Sequence, residues 1–149
     1  MARDHDHTGA VPGSLFRMSW VARYVGVPFV DGGRGPVSFD CWGLVRAVYA
    51  DHCGVDLPSY GDISSGDLIR VARAMAGDRA DWRPVDIPAP FDVALMSSGH
   101  GGRMGVHVGV MVDGVTMLHT ERATGAVLVP VSDFRIKGRL LGWHRYSAQ

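Results

Sequence analysis

Apolar residues recur at helical spacing in the first half of this chain and at alternating spacing in the second. From Ser14, a residue suited to capping a helix, Leu15, Phe16, Met18, Trp20, Val21, Tyr24 and Val25 follow mostly three to four positions apart. Gly26 and Pro28 end that run, so a first helix is predicted there. Residues 27–38 hold three glycines and two prolines and read as a loop. Helical spacing resumes over about 40–52, with Leu44, Val45, Val48 and Tyr49 inward and Gly54 just past the end. A third helix is expected over about 66–75, carrying Leu68, Ile69, Val71 and Ala72.

The period then shortens to two. Segments 92–96, 106–112, 115–119, 126–129 and 139–146 are short, rich in Val and Leu, and separated by turn residues. They are predicted as antiparallel strands, with one helical turn somewhere in 131–136. Helices first and strands afterwards imply an α+β fold, with the N-terminal helices packed on one face of a central antiparallel sheet. Residues 1–13 show no period and are expected to form a flexible arm ahead of a single domain over 14–149.

Composition narrows the function classes. Of the 149 residues, 15 are Lys or Arg and 15 are Asp or Glu, so the formal charge is zero and nothing points to a nucleic acid. No apolar run has the length of a membrane span, and with no apolar segment behind the charged start a secretory signal is not expected. The two cysteines, Cys41 and Cys53, would lie about 120° apart on one helix, so a disulfide between them is not expected. His5 and His7 in the arm have no further ligand nearby, and a solvated tail is the simpler reading.

Cys41 opens the second predicted helix. Unpaired N–H groups and the positive end of the helix dipole favour a thiolate there, so its pKa is expected below the free value of about 8.5. By itself Cys41 is equally a small core residue. A thiolate nucleophile needs a proton carrier, usually His. His107 and His119 both sit in apolar, strand-forming surroundings. A two-residue Asp113-Gly114 turn would throw their rings onto opposite faces. A three-residue loop with Gly114 left-handed would pair 111 with 115, setting His107 directly opposite His119 on one face. The second arrangement is the one expected. Cys41, His107 and His119 could in principle ligate zinc, but no C-x-x-C or H-x-x-x-H pair accompanies them, so neither a metal nor another cofactor is expected.

Six stretches now form a pattern: Tyr24-Val-Gly-Val-Pro-Phe-Val, Phe39-Asp-Cys-Trp-Gly-Leu-Val, Gly54-Val-Asp-Leu-Pro, Phe91-Asp-Val-Ala-Leu, His107-Val-Gly-Val-Met and Leu118-His119. Their order over about residues 15–145 resembles the NlpC-type peptidoglycan endopeptidases, a papain-like family of bacterial and phage enzymes. The resemblance implies hydrolysis of the bond between D-γ-glutamate and a diamino acid in the peptidoglycan stem. It implies Cys41 as nucleophile, His107 as base and His119 as the residue orienting it. Asp40 would engage the stem's free amino group. Trp42 stands where the family commonly has Ser, and Phe29 where it often has Tyr; both are expected to face substrate. The Cys-Trp-Gly-Leu-Val variant looks like the version found in phage tails and gene transfer agents. That implies partners in a tail hub or baseplate, synthesis in the cytoplasm, and action on the wall from a tail tip, without membrane insertion. The competing expectations are an idle structural tail protein and an amidase or acyltransferase using the same thioester chemistry.

Overall fold

The computed structural model describes residues 19–58, 81–97 and 106–147. The expected arm over 1–13, the start of the first helix and the expected helix at 66–75 lie outside them. What is described of the first helix is one 3-10 turn, Trp20–Arg23. It buries Val21, with Tyr24 buried just after it, and Gly26 (φ 91°) then turns the chain.

Helix α1, Cys41–Val48, follows, with Asp40 as its N-cap. It runs on as a π-helical turn, Tyr49–Cys53, that ends at left-handed Gly54 (φ 67°). The helical stretch thus matches the expected span of about 40–52, and it stops at Gly54 as predicted. Its inward side buries Leu44, Val45, Val48 and Tyr49.

Among the described residues, six strands form one antiparallel sheet: β1 Trp82–Val85, β2 Val93–Ser97, β3 Val106–Met111, β4 Thr116–Glu121, β5 Gly125–Pro130 and β6 Leu140–Tyr146. Their spatial order is β1-β6-β2-β3-β4-β5. The expected α+β, papain-like arrangement is the one observed. Strand β1 was not anticipated, because Pro84 lies inside it. Among the described residues β1 pairs only with β6, and at such a sheet edge proline is tolerated.

Alternation along the strands makes two cores. Val93, Leu95, Val108, Val110, Leu118 and Ala126 pack with α1 on one face. Ala94, Met96, Met111, Met117 and Val129 form the other. Ile136, from the short helix α2 (Phe134–Lys137), packs against that second face.

The β3–β4 register differs from expectation by two residues. Val110 pairs with Leu118 and Met111 with Met117. Val112 N–H donates to Thr116 O at 2.8 Å, leaving Asp113, Gly114 and Val115 as the three-residue loop. Gly114 does not take the left-handed conformation. The Asp113 carboxylate shapes the turn instead, accepting from Val115 N at 2.8 Å and Thr116 N at 2.7 Å. A shift of two preserves the face of every side chain.

Candidate active site

The local sequence dictates how α1 begins. Asp40 Oδ1 accepts from Gly43 N–H at 2.6 Å, as an N-cap does. The same oxygen takes Arg34 Nη1 at 2.8 Å, and Oδ2 takes Gly32 N–H at 3.2 Å. Asp40 is 2% exposed. Its carboxylate is therefore engaged with three groups inside the protein. Only glycine fits at 43, since a Cβ there would lie 2.0 Å from Gly33 O.

Cys41 is 1% exposed. Burial pushes its thiol up to about 12, against the pull of backbone N–H groups of Val108, Trp42 and Cys41 itself. The neighbouring Asp40 carboxylate adds to the rise. This corrects the expectation of a depressed pKa. The helix start does favour the anion, but removal from water outweighs it.

His107 and His119 come together. Nε2 of His107 and Nδ1 of His119 are 2.9 Å apart, with ring centroids at 5.2 Å. They meet diagonally rather than directly opposite, because of the register. Gly109 makes room between them: a Cβ there would lie 3.0 Å from the His119 Cβ. Burial lowers both imidazoles, His107 to about 3, so both are neutral near pH 7. The positive field of Arg139 works in the same direction and Glu121 against it.

The sulfur and the imidazoles approach β3 from its two sides. Val108 packs with Cys41 in the α1-side core, whereas His107, one residue earlier, points to the other face. The ladder between β3 and β4 is paired only at Val110 and Met111. In a continued ladder Val108 N–H would face Thr120; it turns to the Cys41 sulfur instead. Among the described residues Thr120 Oγ1 has no hydrogen-bond partner. Among the described residues, no hydrogen bond joins Cys41 to His107.

Of the remaining expected site residues, Trp42 is buried in the α1 core, its Nε1–H donating to Pro58 O at 2.8 Å. Phe29 is half-buried and carries the Arg122 guanidinium over its ring, 5.2 Å from the centroid. Sequence reasoning missed Glu121 and Arg139. Glu121 Oε2 lies 3.9 Å from His107 Nε2 and accepts from Arg139 Nη2 at 2.9 Å. The His119-x-Glu121 spacing, two residues along a strand, was the available signal.

His107, His119 and Glu121 offer donor atoms within 4.8 Å of one another, a set that could hold a divalent ion. Arg139 opposes this: its guanidinium already occupies Glu121 Oε2 and places a cation beside the position an ion would take. The chemistry this arrangement supports is thiol and imidazole chemistry.

The model of the NlpC/P60 family matches residues 26–142. Protein P54 of Enterococcus faecium is 40% identical over 62 residues, which span 40% of this chain and 12% of that protein. Among solved structures, a lipoprotein-like NLP/P60 protein of Staphylococcus aureus superposes with a TM-score of 0.63 at 24% identity. The match covers 91% of this chain and 41% of that one. The NlpC/p60 domain of the peptidoglycan hydrolase SagA gives 0.56 at 22% identity, covering 89% of this chain and 96% of that domain. These structures share the fold. The family-model match extends over most of the sequence, from the turn at Gly26 through the Cys41 helix and both histidine strands into β6, and on it the chain belongs to the NlpC/P60 family.

Proposed function

We propose that this protein is a cysteine peptidase that hydrolyses the stem peptides of bacterial peptidoglycan, with Cys41 as nucleophile and His107 as general base. The observation that carries the reading is the convergence on β3. The Cys41 sulfur meets the Val108 amide, one residue from a His107 whose other side is paired to His119 at 2.9 Å.

The resting pair is neutral: the proton sits on sulfur. Catalysis begins when His107 meets the thiol through the opening between β3 and β4 beside Val108, where the ladder is unpaired, a contact that bound substrate tightens. His107 takes the proton and the sulfur attacks the peptide carbonyl. The oxyanion that forms is stabilised by N–H groups at the start of α1. Those of Cys41 and Trp42, turned toward the sulfur, are suited to this. His107 then gives its proton to the leaving amine, and a water deprotonated by His107 hydrolyses the thioester. His119 orients His107 throughout, as the third member of a triad does.

The finer reading is the bond between D-γ-glutamate and the diamino acid, cut by an enzyme carried on a phage-like tail. It rests on the Asp-Cys-Trp-Gly-Leu-Val box at 40–45. Asp40 would then serve substrate binding indirectly, by holding the 32–34 loop against the helix start, and Phe29 would border the cleft beside it.

Purified sacculi incubated with the wild type, Cys41→Ala and Cys53→Ala, with mass analysis of released muropeptides, test the proposal. The wild type and Cys53→Ala should release fragments ending in γ-D-glutamate, and Cys41→Ala none. Equal release by all three would remove Cys41 as nucleophile.

A further inference from the structure

We propose that Glu121 is a positioning residue that selects the tautomer of His107, leaving its Nδ1 free to accept the thiol proton. A single hydrogen lies between His107 Nε2 and His119 Nδ1. When His119 donates it, a neutral His107 carries its own hydrogen on Nδ1 and cannot act there as a base. When His107 donates it, Nδ1 keeps a lone pair.

Nothing in the two rings alone decides between these. Glu121 does. Its Oε2 lies 3.9 Å from His107 Nε2, close enough for its charge to favour a hydrogen on that nitrogen over a bare lone pair. Strand alternation puts Glu121 on the face of His119, two residues away along β4.

The carboxylate is itself held in place. Arg139 donates to it at 2.9 Å and is anchored through Nε–H to Ser97 O at 3.0 Å. Arg139 thus fixes where the negative charge sits, and β2, β4 and the start of β6 are tied together around the histidine pair. The same charge supports the imidazolium once His107 has taken the proton, as the buried acid of a catalytic triad does. This inference rests on the assignment of His107 as base and adds to it the location of one proton and the residue that sets it.

The test is nitrogen-15 NMR of histidine-labelled full-length protein, which reads the His107 tautomer directly, paired with kinetics on a stem peptide. In the wild type His107 should carry its hydrogen on Nε2. Glu121→Gln should shift His107 toward the Nδ1–H form and lower kcat by about tenfold or more, with KM little changed. Glu121→Asp, which keeps the charge, should recover part of both effects. Wild-type His107 protonated on Nδ1, or an unchanged tautomer in Glu121→Gln, overturns the inference whatever the activity. His107→Ala is the separate control: if that variant still hydrolyses the peptide, the base assignment falls, independently of which tautomer the wild type shows. The wild-type spectrum needs no substitution, so a variant that fails to fold leaves the test standing.

Discussion

At the scale of single residues, the site is defined by a conflict between position and burial. Cys41 has the most thiolate-favouring place on α1, yet its pKa is driven up to about 12 because almost no water reaches it. His107 is driven the other way, to about 3, for the same reason. The signs combine simply. An acid stays protonated below its pKa and a base stays neutral above its own, so both groups are uncharged across the range between. The thiolate absorbance band, read as wild type minus Cys41→Ala, should therefore stay flat from about pH 4 to about pH 10. A thiolate signal already present at neutral pH, lost on acidification, would mean a resting ion pair. Thiol position was legible in the sequence because a helix start is a local property. Its pKa was not, since burial depends on what the rest of the chain packs over it.

At the scale of elements, the start of α1 is the most over-determined part of the fold. Asp40 caps Gly43, holds Arg34 and accepts from Gly32, so one carboxylate joins the helix to its preceding loop. Asp40→Ala should lower unfolding free energy by about 2–4 kcal/mol in urea titration, from the lost cap and the unpaired Arg34. Asp40→Asn, which can keep the cap, should lose less. Alanine unfolding like the wild type would show that the helix start does not depend on this carboxylate.

The Asp-Cys-x-Gly pattern made that element readable in advance. The β3–β4 hairpin was readable only in part. Its loop length was correct, but the Asp113 side chain set the turn and moved the register by two. The histidines still met because the side-chain period in a strand is two. Strand β1 went unseen because proline within a strand signals an edge only once the neighbours are known. Glu121 and Arg139 stand eighteen residues apart and meet through the fold, which no local pattern announces.

At the scale of the whole molecule, the sheet separates two jobs. One face seats α1 and brings the sulfur to the backbone of β3; the other carries the histidines with Glu121 and Arg139 beside them. Two layers built from distant parts of the chain thus meet around Val108, between the helix-facing core and the histidine pair. The central claim is that a covalent bond forms between Cys41 and the substrate's acyl group during turnover. Rapid acid quench on a stem peptide containing γ-D-glutamate, followed by peptide mass mapping, tests it most directly. A thioester mass increment on the Cys41 peptide, absent from Cys41→Ala, is the predicted result. Steady hydrolysis of the same peptide by Cys41→Ala, with no adduct on Cys41 in the wild type, would contradict it.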